Sequence, residues 1–242
     1  MTPPPSKISL KSLAAKPVPA PVLMTPRGER LYLILAALFT GSLVVANLIA
    51  NKFFHIELFG KEFILSAGVI PYPLTFLVTD LLSELYGKAR ANMVVIGGLI
   101  ASLLVIATLA IADIMPAIDD SVVNDDIFHT VFGNSYRVIG ASMTAYLVAQ
   151  LIDIKIFHFW KKLTSGKHLW LRNNGSTIVS QLVDSTLVVW VLFAGIWTPA
   201  EMSVAIFDLW LFKSMIALID TPLFYLSVNY LPKWIGKENN RA

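Results

Sequence analysis

Two glutamine–aspartate pairs have side chains that could bind a polar ligand, and their spacing puts each pair on one helix face. Gln150 and Asp153 follow Tyr146 at i, i+4 and i+7, and Gln181 and Asp184 repeat the glutamine-to-aspartate spacing. A carboxylate accepts two N–H donors at once, and a glutamine amide both donates and accepts. An ionisable group within a membrane costs at least about 2.5–3.5 kcal/mol. The pairs therefore predict a ligand or ion site, with interhelical hydrogen bonding as the structural alternative.

Four more polar side chains lie in apolar surroundings and are candidates for the same site. Lys213 and Asp220 are seven residues apart, which places them on one face of a helix. We expect Lys213 to neutralise a buried carboxylate or to contact a ligand. Asp80 and Asn47 are the deeper polar groups of two earlier segments. All four are predicted to face the interior of the protein.

The elements that must position these residues are membrane helices. Of the 242 residues, 56% are hydrophobic and 14% are charged, whereas a soluble domain carries about 25% charged residues. The sequence predicts an all-α integral membrane protein with six transmembrane helices. A small surface hairpin is expected at residues 52–62, and Pro71 and Pro73 should kink or break the second helix. The predicted spans are residues 31–50, 64–85, 93–115, 138–160, 176–197 and 205–231.

The basic residues predict the orientation of these helices. With a cytoplasmic amino terminus, the inner segments contain fourteen Lys and Arg residues and the outer loops contain three. The positive-inside rule therefore places both termini in the cytoplasm. Residues 1–29, rich in proline and poor in apolar residues, are predicted to be a disordered cytoplasmic tail. Residues 30–242 are predicted to be a six-helix transmembrane transport domain.

The sequence carries no recognised motif of a membrane enzyme. It contains no HExxH motif, no glycine-rich phosphate loop and no cysteine, and its four histidines show no metal-binding spacing. An aspartyl dyad of Asp153 and Asp184 is conceivable, but the glycine-flanked aspartate of intramembrane proteases is absent. We expect no enzyme activity, cofactor or metal. The pI near 9 reflects basic inner loops rather than nucleic-acid binding.

Several segments together resemble the bacterial queuosine precursor transporters, also called the vitamin uptake transporter family. Residues 73–81 read PLTFLVTDL, and residues 84–87 read ELYG. The fourth predicted helix is similar through Tyr146, Gln150, Asp153 and Phe157. The fifth is similar through Ser176, Thr177, Gln181 and the triplet at 184–186, and the sixth through Asp208 and Lys213, which resemble a paired acid and lysine.

The resemblance implies a function, a fold and partners. The family imports 7-deazaguanine bases, namely queuine or its cyano and aminomethyl precursors, for tRNA modification. Its fold is similar to the six-helix substrate-binding subunits of energy-coupling-factor vitamin transporters. A capture subunit that needs separate ATPase partners is therefore the alternative. Ala46 and Ala50 offer a small-residue face that could dock such a partner, although the packing of helices within the membrane explains this face equally well. A homo-oligomer in the bacterial inner membrane is a further expectation.

A deazaguanine base suits the predicted site residues. Its N–H donors and exocyclic amine match one carboxylate in a bidentate arrangement. Its carbonyl needs a donor, which Gln150, Gln181, Asn47 or Lys213 can provide. Its flat ring would stack on Phe76 or Tyr146.

Overall fold

A computed structural model of the chain describes residues 25–50, 52–58, 60–133, 135–193, 195 and 197–236. Of the predicted tail, residues 1–24 lie outside this description. The long helices are α1 (Pro26–Leu48), α2 (Tyr72–Leu85), α3 (Lys88–Ile114), α4 (Ser135–Leu163), α5 (Leu169–Phe193) and α6 (Pro199–Gly236). Strands β1 (Phe53–Leu58) and β2 (Lys61–Ser66) precede a 3₁₀ turn (Ala67–Val69), and a short helical turn (Asp125–Phe128) leads into a π-helical turn (His129–Gly133).

Three of the helices are long and apolar enough to cross a membrane by length and composition alone. These are α1, α3 and α6, among the residues that the structure describes. The mean hydropathies of their most apolar stretches are 2.1, 2.7 and 1.8. The protein is thus an all-helical membrane protein apart from one hairpin, and six membrane crossings stay a prediction.

The second predicted span is not one helix of 22 residues. Residues 64–66 belong to β2, a 3₁₀ turn follows, and α2 begins only at Tyr72. Pro71 and Pro73 explain the break, because proline lacks the N–H that would continue a helix from the preceding turn. The remaining 14 residues of α2 are about 21 Å long. This is shorter than the roughly 30 Å hydrocarbon core of a bilayer.

The predicted hairpin is present and is longer than expected. β1 and β2 pair antiparallel, with Leu58 opposite Lys61 and Phe54 opposite Leu65. The turn includes Gly60, whose φ of 74° is readily adopted by glycine. Phe63 packs against Phe212 of α6 with ring centroids 5.8 Å apart. The hairpin therefore packs against the amino-terminal half of α6.

Several helices extend beyond the apolar runs that predicted them. α5 begins at Leu169, seven residues before the predicted start at 176. α6 begins at a capping box, in which the Thr198 hydroxyl and backbone N–H donate to the Glu201 carboxylate. α6 has 38 residues and contains Pro222 and Pro232.

Helix α2 lies at the centre of the bundle. It packs against α1, α3, α4 and α6, while α5 packs between α4 and α6. Most of its side chains from Thr75 to Leu85 are buried. By contrast, α1, α3 and α6 expose large apolar side chains such as Leu33, Leu104 and Leu223. Such broad apolar surface is suited to lipid contact.

The small-residue face of α1 is occupied within the chain. A Cβ added to Gly68 in the 3₁₀ turn would lie 2.7 Å from the Ala46 carbonyl oxygen and 3.4 Å from the Ala50 Cβ. Gly68 therefore allows the turn to lie directly against α1. Ala46 and Ala50 are explained by this contact, which removes the sequence argument that they dock an ATPase subunit.

Candidate functional site

Buried polar side chains concentrate where α2, α4 and α5 meet. Burial of each polar group costs free energy, because the group loses its hydration. They include Thr75, Thr79, Asp80 and Ser83 on α2, Gln150 and Asp153 on α4, and Thr177, Ser180, Gln181, Asp184 and Ser185 on α5. Both predicted glutamine–aspartate pairs are therefore in the interior of the bundle.

Asp184 is the centre of a buried ion pair between α5 and α6. Its Oδ2 accepts from Lys213 Nζ at 2.5 Å and from the Tyr72 hydroxyl at 3.1 Å. Lys213 Nζ also lies 4.7 Å from the centroid of the Tyr72 ring, within the range of a cation–π contact. Lys213 thus has the carboxylate partner that we expected.

The partner of Lys213 is not the acid that the resemblance implied. Asp208 instead pairs with Lys61 of the hairpin. Residues five apart on a helix are separated by about 140° around its axis, so Asp208 and Lys213 point away from each other. The implied pairing of Asp208 with Lys213 is therefore wrong.

Asp153 contacts groups from both neighbouring helices. Its Oδ1 accepts from Ser180 Oγ of α5 at 2.9 Å, and its carboxyl lies within hydrogen-bonding reach of the Asp80 carboxyl of α2. Ser180 precedes Asp184 by one helical turn. Asp153 and Asp184 are therefore offset along the bundle by about one turn, or about 6 Å.

Three aromatic rings cover this polar region. The centroids of Tyr72 and Phe76 are 5.5 Å apart, and those of Phe76 and Tyr146 are 6.2 Å apart. The Tyr146 hydroxyl accepts from Gln150 Nε2 at 2.9 Å, which fixes both side chains. The rings thus separate the inner layer of Gln150 and Asp153 from the region around Lys213.

A cavity opens beside this aromatic group, between α2, α5 and α6. Its volume is about 20 Å³, which is room for one or two water molecules. Its walls are Val69, Tyr72, Pro73, Phe76, Thr177, Gln181, Lys213, Ile216, Ala217 and Asp220.

Gln181 is a polar side chain of the cavity wall whose amide is not hydrogen-bonded to any described residue. It is fully buried, and neither Oε1 nor Nε2 has a hydrogen-bond partner among the residues that the structure describes. A buried amide without partners is costly in a membrane interior. Other buried atoms without a partner in this part of the chain are Asp80 Oδ1, Gln150 Oε1, Asp153 Oδ2 and Asp184 Oδ1. Such groups are typically satisfied by a ligand or by water.

The structure brings some of the predicted site residues to the cavity and places others elsewhere. Phe76, Gln181, Lys213 and Asp220 are in the cavity wall. Asp80, Gln150 and Asp153 form the inner layer behind the aromatic rings, Tyr146 is one of those rings, and Asp184 pairs with Lys213. Asn47 is different, because its amide donates to the Leu43 carbonyl of its own helix and it is not part of the wall. No group of three or more His, Asp or Glu side chains suited to a metal ion occurs within the described ranges.

Sequence reasoning missed an ionic cluster at the end of α2 that faces the predicted cytoplasmic side. Arg172 donates from Nε and Nη2 to both oxygens of Glu84, at 3.1 and 2.7 Å, and from Nη1 to the Gly166 carbonyl at 2.8 Å. Lys161 Nζ lies 2.9 Å from Glu84 Oε2. Arg172 lies inside α5 and is buried because Glu84 neutralises it.

A helical membrane protein with buried polar and charged side chains around a cavity between its helices has the build of a small-molecule transporter. The chain belongs to the "Putative vitamin uptake transporter" family, whose model matches residues 66–227. It is a transporter rather than an enzyme.

Two relatives show which transporters the chain is similar to. The "Probable queuosine precursor transporter" of Bacillus subtilis is 34% identical over 194 residues, which cover 78% of this chain and 81% of the relative. The "Queuosine precursor transporter" of Escherichia coli is 23% identical over 182 residues, which cover 71% and 76%. No solved structure matches the chain.

Proposed function

We propose that this protein imports a queuosine precursor base across the bacterial inner membrane, and that the base binds in the cavity between α2, α5 and α6. The family membership and the names of the two relatives support this proposal. The observation that carries it is Gln181, a fully buried amide in the cavity wall with neither of its polar atoms bonded among the described residues.

The chemistry of the cavity wall suits a flat base with an amide edge. A deazaguanine presents a carbonyl beside an N–H, which is the complement of the glutamine amide of Gln181. Phe76 offers a ring face for stacking. Lys213 is available to donate to the ligand, since an ammonium has three N–H groups. Lys213 donates to Asp184, and its ammonium lies beside the ring of Tyr72.

The base does not fit into the cavity as it stands. Space for one or two waters is much less than a fused two-ring base requires, so the proposed binding requires the surrounding helices to move apart from this closed arrangement. Separation of α2 from α5 would widen the cavity toward the layer behind it. Asp80, Asp153 and Gln150, whose unsatisfied atoms lie in that layer, then become ligand contacts.

Gln181→Leu tests this site without disturbing a hydrogen bond between described residues. We expect affinity for the transported base to fall by roughly twofold to 150-fold, the loss of one or two hydrogen bonds of about 0.5–1.5 kcal/mol each. Folding stability should stay equal or increase, since a buried amide without partners is replaced by an apolar group. The measurements are ligand affinity and thermal melting of the purified protein.

Ser185→Ala is the matched control for this variant. Ser185 is also on α5, is fully buried and has an Oγ without a described partner, but it does not contribute to the cavity wall. We expect native affinity. Native affinity in Gln181→Leu as well would contradict the proposed site.

The orientation is tested by a reporter enzyme fused after Ala242. The excess of basic residues in the predicted inner segments places this terminus in the cytoplasm. A reporter active only in the cytoplasm should therefore be active, and one active only in the periplasm should be silent. The reverse pattern would require an odd number of membrane crossings or an inverted bundle.

A further inference from the structure

One face of α6 contributes two ionisable groups to the cavity wall. Lys213 and Asp220 are seven residues apart, and Ile216 and Ala217 lie between them on the same wall. This spacing of i, i+3, i+4 and i+7 follows a single helix face. A ligand in the cavity would therefore be able to contact both ends of this stripe.

Lys213 and Asp220 differ in whether a residue of opposite charge neutralises them. Lys213 forms its ion pair with Asp184 at 2.5 Å, so these two charges cancel. Asp220 is half-buried and forms no ion pair with any described residue. The cavity wall and Asp184 together thus have one uncompensated carboxylate. Gln181, fully buried and without partners in the described chain, gives independent evidence that the cavity receives a polar ligand.

We infer that the site selects a base that carries a protonated amine over a base with the same ring system and a neutral substituent, with Asp220 binding the ammonium. This inference rests on the proposed function. A charge-assisted hydrogen bond is roughly twice as strong as a neutral one. A neutral ligand would also leave the Asp220 carboxylate partly desolvated without a counter-charge, which is unfavourable. Gln181 would form hydrogen bonds with the amide edge that both kinds of ligand share.

Two ligands with one ring system test the selectivity: 7-aminomethyl-7-deazaguanine, which is a cation at neutral pH, and 7-cyano-7-deazaguanine, which is neutral. Their affinities for the purified full chain are measured by calorimetry at pH 7. We expect the cationic base to bind about tenfold tighter or more, the effect of one charged hydrogen bond. In Asp220→Asn the difference between the two ligands should shrink to about threefold or less.

Asp208→Asn is the matched control. It removes one carboxylate from the same helix, at a position that pairs with Lys61 outside the cavity, and should preserve the difference between the ligands. If Asp220→Asn does not fold, Asp220→Ser replaces it, and the comparison in the unaltered chain remains decisive. Equal affinities in the unaltered chain would overturn the inference and leave the proposed function standing. Absence of binding by both bases would overturn the proposed function as well.

Discussion

Lys213→Ala is expected to abolish uptake. In the closed state Lys213 Nζ is the cation that neutralises Asp184, a fully buried carboxylate whose other described contact at Oδ2 is the Tyr72 hydroxyl. Removing one partner of a buried ion pair costs about 3–5 kcal/mol, because the remaining charge must stay uncompensated or take up a proton. Uptake of the labelled base into cells that cannot synthesise it, at equal protein level, measures the effect.

A double variant separates the two ways in which Lys213 could act. Lys213→Ala with Asp184→Asn removes both charges, so most of the lost stability should return. If Lys213 also donates to the ligand, uptake stays low in the double variant. Recovered uptake would assign Lys213 to charge neutralisation alone. Normal uptake by the single variant would exclude both roles.

Arg172→Ala is expected to cause a large loss of folding stability, about 3–5 kcal/mol, which is typical when one partner of a buried ion pair is removed. The Arg172 side chain is 2% exposed and donates twice to Glu84. Its bond to the Gly166 carbonyl also ties the α4–α5 loop to this cluster. Denaturation in mild detergent measures the change, and Arg172→Lys should be intermediate because an ammonium cannot form the two parallel bonds.

Lys161→Ala is the control, since it removes a second cation from the same carboxylate. Its side chain is 32% exposed, so its ion pair is partly screened and should contribute no more than about 1 kcal/mol. Equal destabilisation by both variants would show that burial of Arg172 is not what stabilises the cluster.

The apolar runs were sufficient to find most helices, and the turn around Gly60 was sufficient to find the hairpin. The apolar runs did not predict the helical segments that contain polar residues. The first two turns of α5 include Arg172 and Asn173, which no hydropathy argument assigns to a helix interior. Arg172 can be buried there only because Glu84 lies opposite, 88 positions away in sequence. Such a partner is a property of the packed bundle.

The sequence predicted which polar residues lie in the interior, but it did not predict which of them contact each other. The spacing of Gln181 and Asp184 correctly put both on interior faces of one helix. The same spacing could not show that Asp153 is opposite Ser180, nor that Lys213 pairs with Asp184. Both contacts depend on the axial positions of α4 and α6 relative to α5. The apolar residues on the helix surfaces do not specify these positions in the sequence.

Pro222 has a consequence for how the cavity can open. Proline has no N–H, so the carbonyl of Leu218 one turn earlier has no helical hydrogen bond even when α6 is closed. Bending α6 at this point therefore breaks no backbone hydrogen bond at that carbonyl. If the proposed opening of the cavity bends α6 here, the segment with Lys213 and Asp220 moves relative to the rest of α6 without breaking a backbone hydrogen bond at Leu218.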